Sequence, residues 1–570
     1  MDPLPVTCRR LLFVYPDFEP TYWGMQHALP LVGRKAFMPP LGLMTIAAMT
    51  PVEYEIRIVD MNCERLTDDH IAWADMVLFS AMMMQQQTLF VAAQRCRRMG
   101  KPVVLGGPYP TAFSEECLPH CDHLVLNEGE ITWPKFLADL EAGKLQHTYT
   151  STEKPDITKT PCPRFELVNM AHYAMIPLQY SRGCPFQCEF CDIIVHLGRV
   201  PRVKTPSQML AELDAVYATG YRGGVFIVDD NFIGNKREVV KFLPELERWN
   251  RDHGHPFQYG TEASLNLAED RKLVQSLIST GFLWVFVGIE TPTVEALKET
   301  RKFQNVGGTL VDRVRVLQNA GMLVFGGFIL GFDNETEDIF DRQIEFITEA
   351  AIPNAMVGQL GALPGTPLLA RMEKEGRLLR SCTEGLGPFY SNFTTKLPFE
   401  MIVRGQRRIL ETIYEPRAYF NRLIEAYRRL PKETKLLRKL SRLLFPSGMV
   451  MGSGGAQVHG KALPQMSGKA RLSALLNFLR SVDSDYRREA LRFMGTILRE
   501  CPEYFQQSLD YLVMGYHYYR FTKDTVVPEY ERVLAEPQIQ ATTSGKPLLA
   551  FAASKGMVQI AMGATAGSTR

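Results

Sequence analysis

Tyr180-Ser-Arg-Gly-Cys184-Pro-Phe-Gln-Cys188-Glu-Phe-Cys191 sets three cysteines at offsets of four and three residues. One tight loop can gather three such thiolates, and soft sulfur ligands suit zinc or iron-sulfur chemistry. No fourth cysteine follows until Cys382. A structural zinc site takes four protein ligands, and His196 lies close enough in sequence to be offered as the fourth. An iron-sulfur cube held by three cysteines instead leaves one iron open to another ligand. Gly183 and Pro185 shape the stretch as a loop rather than a buried strand, which disfavours three unrelated core thiols.

The whole chain bounds what this loop belongs to. A length of 570 residues exceeds one ordinary core, so roughly two to four domains are expected. With 46% hydrophobic and 22% charged residues the composition is that of a folded protein. A net charge of +2 argues against a general nucleic-acid binder. The residues before Leu11 are few and polar for a secretory signal, and no run of about 18 apolar residues suggests a transmembrane span. Eleven cysteines in so long a chain are not a disulfide framework. Their clustering at 184, 188 and 191 points to a reducing compartment, so a cytoplasmic location is expected. Cys8, Cys63, Cys96, Cys117, Cys121, Cys162, Cys382 and Cys501 form no second motif and read as small hydrophobes.

Upstream, residues 1–165 alternate strands and helices. Leu11–Tyr15, Tyr54–Val59, Met76–Phe79, Pro102–Leu105 and His123–Leu126 read as strands, with helices from about Leu43 and from Gln87 to Met99. This pattern specifies an open parallel α/β sheet, a Rossmann-like domain, which binds ligands beyond the carboxyl ends of its strands. Gly106 and Gly107 would let backbone approach a flat or phosphorylated ligand, or would simply make an ordinary turn. No GxGxxG follows the first strand, and no Walker A sequence is present.

Downstream, residues 166–380 read as a partial or complete β/α barrel. Thr205 and Pro206 start a helix, and strands are expected at Gly223–Val228, Phe257–Thr261, Trp284–Gly288 and Leu323–Leu330. Residues just past the strand ends gather at one mouth. Cys184, Asp229, Asp230, Asn231, Glu262 and Glu290 therefore form a candidate site. Residues 381–570 read as a mainly helical domain with a flexible insertion near 452–469. From Arg428 to Leu444 basic residues interleave with leucines. That pattern fits a packed helix with a solvated basic face, or peripheral contact with an anionic membrane. The rings between Tyr504 and Phe521 would line an apolar pocket or pack a cap.

The CxxxCxxC after Ser-Arg-Gly resembles the cluster loop of radical S-adenosylmethionine (SAM) enzymes. Phe37-Met-Pro-Pro-Leu-Gly42, Leu105-Gly-Gly-Pro108 and Glu128-Gly-Glu130 resemble the cobalamin-binding domain that precedes the radical SAM domain in one large subclass. The arrangement over most of residues 9–525 is similar to members with a C-terminal domain of unknown function, hopanoid C-2 methylases among them. The resemblance implies Cys184, Cys188 and Cys191 as ligands of a [4Fe-4S] cluster whose open iron binds SAM. It implies Asp230, Glu262, Glu290 and Phe190 around SAM, with Gly106, Gly107 and Glu128 on the cobalamin side. DxHxxG is absent, so a base-off cobalamin without a histidine lower ligand is expected. The implied reaction is C-methylation of an unactivated carbon through a 5'-deoxyadenosyl radical and methylcobalamin, drawing on an external electron donor. An apolar or lipid-like substrate would suit the aromatic cap. Cobalamin-assisted cyclisation, oxidation or rearrangement is the alternative within the superfamily; a noncatalytic iron-sulfur or cobalamin sensor is the alternative outside it.

Overall fold

The computed structural model describes residues 8–379, 390–432, 457–458, 461–462 and 468–535. Most of the basic stretch ending at Leu444, most of the 452–469 insertion, Cys382 and the chain after residue 535 lie outside the described residues.

The first sheet has six parallel strands in the order β2-β1-β3-β4-β5-β6. They are β1 Arg10–Tyr15, β2 Glu55–Asp60, β3 Met76–Ser80, β4 Val103–Gly106, β5 His123–Val125 and β6 Thr148–Tyr149. Helices cover both faces, so the strands are apolar throughout: Leu11 and Phe13 enter one core, Leu12 and Val14 the other. Helices α1 Leu41–Met49, α2 Gln86–Arg98 and α3 Gly129–Glu141 belong to this layer. The order reverses at β1 and β3, the kind of crevice where such sheets hold ligands.

The second sheet is a parallel half-barrel in the order β7-β10-β11-β12-β13-β14. Its strands are β7 Met175–Leu178, β10 Gly223–Ile227, β11 Phe257–Ala263, β12 Phe282–Glu290, β13 Leu323–Leu330 and β14 Ala355–Gln359; a small antiparallel hairpin, β8 Ser181–Arg182 with β9 Arg202–Val203, follows β7. Outside run α4 Pro206–Ala218, α5 Lys236–Asp252, α6 Arg271–Thr280, α7 Leu310–Ala320 and α8 Ile339–Glu349. Thr205 caps α4 through a reciprocal box with Gln208. Strands β7 and β14 are not paired with each other, so the partial barrel is the correct reading of the two.

Both open edges are covered. At β7, residues Ala174 and Met175 donate to the carbonyls of Ala36 and Phe37, from the long loop after β1. At β14, the Tyr414 hydroxyl donates to Ala355 O at 2.6 Å and Gln406 Nε2 to Val357 O at 2.8 Å. Those two side chains stand on α10 Phe399–Tyr414, which follows α9 Pro367–Lys374. With α11 Pro416–Arg429, α12 Ser484–Glu500 and α13 Phe505–Phe521 it forms the helical part. The rings of α13 pack inward: Tyr511 and Tyr518 are buried, and Tyr22 of the first loop stacks on Tyr414 at 5.4 Å. Across the open side of the barrel, Trp23, Phe37, Trp284, Phe286, Phe325, Met514 and Tyr518 close around a cavity of about 10 Å³.

Gly515 lets α13 meet α11 and α12: a Cβ there would lie 2.8 Å from Tyr419 Cζ and from Tyr486 Oη. Gly515→Ala should therefore lower stability by about 1–3 kcal/mol through overpacking. Gly495→Ala, in open space on α12, should raise stability by up to about 1 kcal/mol. Thermal unfolding of the two variants checks this; equal melting temperatures would contradict the close packing.

Candidate functional site at the barrel mouth

The hairpin β8–β9 carries the cysteines in the loop between its strands. Gly183 has φ of 96°, and a Cβ there would sit 2.8 Å from Gly198 O, so only glycine passes this point unstrained. Cys184 N donates to Gly198 O at 3.2 Å, and Cys191 N to Cys188 O at 3.2 Å. Glu189 fastens the loop to the barrel wall. Its N–H donates to Thr300 O at 2.9 Å, and its carboxylate accepts from Arg371 Nε at 2.8 Å and Nη2 at 3.0 Å. Arg371 also holds Asp333 at 2.8 Å.

The three thiols come from one loop, with Cys188 buried and Cys184 and Cys191 half-buried. Burial pushes the Cys191 thiol up to about 12, with the neighbouring Cys188 and Cys184 sulfurs adding to it, and burial raises Cys184. Two amides donate toward sulfur: Asn231 Nδ2 to Cys184 Sγ at 3.7 Å and Gln304 Nε2 to Cys188 Sγ at 3.4 Å. Among the described residues no group of three or more His, Cys, Asp or Glu converges to hold a single metal ion. His196 turns to Asp192, 3.9 Å away, rather than to the thiols. Three soft thiolates from one loop suit an iron-sulfur cluster.

The acidic residues divide by partner. Asp229 is fully buried and structural, accepting from Tyr180 N at 2.7 Å, Ser181 N at 2.8 Å and Ser181 Oγ at 2.6 Å. Asp230 Oδ2 is buried with no hydrogen-bond partner. Glu262 lies on β11 two residues past Gly260, on that residue's face of the strand. Burial, with Asp230 and Asp229 nearby, pushes its carboxyl up to about 8, and burial pushes Asp230 up to about 6. Glu290 ends β12 at a bulge with φ of 66° and is paired with Lys302. Burial opposes the Lys302 charge, but Glu290 and the Cys188 and Cys191 sulfurs outweigh it and hold the ammonium above its usual range. Gly288 leaves room beside this pair, since a Cβ would lie 2.6 Å from Lys302 Nζ and push the ammonium aside.

Several expected residues take other partners. Phe190 packs on Phe332 at 6.1 Å, in a satellite core against the barrel wall, with Lys302 Nζ 6.0 Å from its ring centre. A Cβ at Gly106 would be 2.9 Å from Val125 O, and one at Gly107, with φ of 92°, 2.5 Å from Ser80 Oγ. The side a Cβ would occupy is filled by the ends of β5 and β3. Both Glu128 oxygens are taken by guanidinium groups, Oε2 by Arg182 Nη1 at 2.9 Å and Oε1 by Arg202 Nη2 at 2.9 Å. Lys302, Gln304 and Arg202 have no motif in the sequence. A Lys and a Gln in the short segment after the helix Val294–Glu299 carry a signal only once the cysteine loop is seen to rest on Thr300.

A carboxyl held above its ordinary range favours its protonated form, so its contribution to stability is present at low pH and is lost as pH rises through the folded value. For Glu262 that loss runs from its ordinary 4.5 up to about 8. Glu262→Gln should flatten the fall in stability of the cofactor-free protein between about pH 6 and pH 8, gaining on the order of 2 kcal/mol at the upper end. Urea unfolding at the two pH values measures it; an unchanged slope would remove Glu262 from the buried acidic group.

Comparison with known proteins agrees with this geometry. Family models match as a B12 binding domain over residues 31–137, the radical SAM superfamily over 178–347 and a domain of unknown function, DUF4070, over 366–529. An uncharacterized methyltransferase of Synechocystis sp. is 42% identical over 423 residues, 74% of this chain and 79% of that protein. The hopanoid C-2 methylase of Rhodopseudomonas palustris is 38% identical over 421 residues, 73% of this chain and 79% of that protein. In fold the chain is similar to the cobalamin-dependent radical SAM enzyme OxsB, solved with aqua-cobalamin bound, with a TM-score of 0.56 at 14% identity over 92% of this chain and 81% of that one. It is also similar to the radical SAM methyltransferase TsrM of Kitasatospora setae, with a TM-score of 0.53 at 14% identity over 66% of this chain and 79% of that one. Among the described residues no helix is long and apolar enough to cross a membrane. The chain therefore belongs to the cobalamin-binding radical SAM enzymes that carry a DUF4070 domain, a family that works with a [4Fe-4S] cluster, SAM, cobalamin and an electron donor.

Proposed function

We propose that this protein methylates an unactivated carbon of an apolar, lipid-like small molecule. The observation that carries the reading is a loop of three thiols at the barrel mouth, with the unpaired, buried Asp230 oxygen on the adjoining β10 loop. In this reading Cys184, Cys188 and Cys191 hold the cluster, and Asn231 and Gln304 donate N–H groups to its sulfur ligands. Asp230 receives the amino group of SAM and Glu262 its ribose. Lys302 neutralises Glu290 beside the cluster, and Phe190 excludes water. When bound, the cluster and SAM supply radical chemistry and cobalamin a transferable methyl group. The sequence DxHxxG is absent, which supports a cobalamin without an imidazole lower ligand. The functional units are residues 1–165, 166–380 and 381–570.

Two observations support an apolar substrate. The open side of the barrel is closed by aromatic and thioether side chains, with the Asn354 amide and the Tyr518 hydroxyl as unpaired polar groups at that cavity. A relative 38% identical is a hopanoid C-2 methylase. Peripheral contact with an anionic lipid surface goes with this substrate class. Its support is α12, where Leu491 and Leu498 stand exposed among Arg488 and Arg499.

Incubation of the anaerobically reconstituted protein with methyl-deuterated SAM, a reductant and a lipid extract should give a product carrying the deuterated methyl group, read by mass spectrometry. Formation of 5'-deoxyadenosine with an unlabelled product would favour cyclisation, oxidation or rearrangement, and no 5'-deoxyadenosine at all would favour a sensor. Alanine at Cys184, Cys188 or Cys191 should abolish cluster assembly. Gln304→Leu should leave the cluster assembled but move its reduction potential to more negative values, since a lost N–H···S bond destabilises the electron-rich reduced state. A potentiometric titration followed by electron paramagnetic resonance (EPR) decides; an unchanged potential would remove Gln304 from the cluster surroundings.

A further inference from the structure

Arg182 and Arg202 stand directly opposite each other on the hairpin β8–β9, in register across the two strands. Like charges so placed repel across a hairpin, and here both side chains are largely buried, with 14% and 17% exposure. What permits the arrangement comes from the other sheet. Glu128, in the loop between β5 and α3, accepts from Arg182 Nη1 at 2.9 Å, Arg202 Nη1 at 3.0 Å and Arg202 Nη2 at 2.9 Å. Glu130 takes the remaining side of Arg182, 2.8 Å from Nη2, and accepts from Thr160 Oγ1 at 2.8 Å. Glu128 follows β5 at the edge of the first sheet where ligands bind, and Arg182 precedes Cys184 by two residues.

We propose that Glu128, Arg182 and Arg202 are positioning residues that fix the cysteine loop relative to the ligand edge of the N-terminal sheet, and so set the separation of the two metal centres. The inference rests on the functional reading above and adds to it which side chains hold the two cofactor domains in register. The physical case is the geometry of the fork. A planar guanidinium binds a carboxylate through two fixed N–H directions, which constrains orientation as well as distance. Arg202 grips Glu128 through both Nη1 and Nη2, while Arg182 grips Glu130 through both of its own and reaches Glu128 through Nη1, and together these contacts leave the hairpin little freedom to rock. The cysteine loop is the connection between those two strands, so any rocking of the hairpin would move all three sulfurs together. A lysine ammonium would keep the charge and lose the angular constraint.

The test measures position without turnover. In the reduced holoenzyme, cob(II)alamin and the reduced cluster are both paramagnetic, and pulsed EPR reads the dipolar coupling between them. The unaltered protein should show one narrow coupling. Glu128→Gln, which keeps the shape and removes the charge, should broaden or split it while both cofactors stay bound at full stoichiometry. Arg182→Lys should broaden it as well, although the charge is retained. The same narrow coupling in both variants, with full cofactor content, would overturn the proposal. If Glu128→Gln does not retain both cofactors, Arg202→Gln, which leaves the Arg182 to Glu130 contact in place, is judged by the same two outcomes. Absence of either paramagnetic signal from the unaltered protein would overturn the functional reading on which the clamp rests.

Discussion

A half-barrel of six parallel strands leaves two rows of backbone donors and acceptors unpaired and one side of its interior open. Neither can be left so inside a protein, because each buried, unpaired backbone group costs as much as a lost hydrogen bond. The chain meets this from both ends. The loop after β1 lays Ala36 and Phe37 beside the start of β7, and α10 lays Tyr414 and Gln406 along β14. Met25, Ala28 and Leu29 of that loop and the inner faces of α10 to α13 then join the barrel residues in one apolar core. Around the barrel, the loop of the first segment and the helices of the third join it in one body, while the first sheet keeps two cores of its own.

The same body sorts its buried acids. Several buried carboxylates have a counter-charge or donors: Glu212 is paired with Lys204, Glu189 of the cysteine loop with Arg371, and Glu335 accepts from Gly331 N, Phe332 N and Thr291 Oγ1. Among the described residues, Asp230 and Glu262 have no such ion pair. Asp230 has an orphan oxygen, and burial pushes Glu262 and Asp230 upward with no cation beside them except the distant pull of Arg182 on Asp230. Buried acids without partners are costly, and a fold retains them where a ligand completes them. A ligand that carries an amino group suits that vacancy in charge, and SAM carries one.

Much of this was legible in the chain. Apolar runs bounded by glycine and proline located five of the six strands of the first sheet and four of the barrel strands to within a residue or two at most ends. The cysteine spacing located the loop, and Thr205 with Pro206 the start of α4. Strands β6, β7 and β14 escaped notice because each is short, and β14 mixes Gly358 and Gln359 into its apolar residues. Gly106, Gly107 and Glu128 were read by kind rather than by partner. In one dimension a glycine pair beside an acidic loop has no named neighbours; in three, the pair lies against Val125 and Ser80 and the acid seats two arginines.

The sequence by itself determined the elements, their parallel sense and the presence of a three-thiol loop, because periodicity, turn residues and cysteine spacing are local properties of the chain. Tertiary structure alone decided which charges meet: Arg202 with Glu128, Lys302 with Glu290, Gln304 with Cys188. Electrostatic and hydrogen-bond partners are chosen by distance in space between residues that lie 12 to 116 positions apart along the chain, and no local pattern encodes that distance.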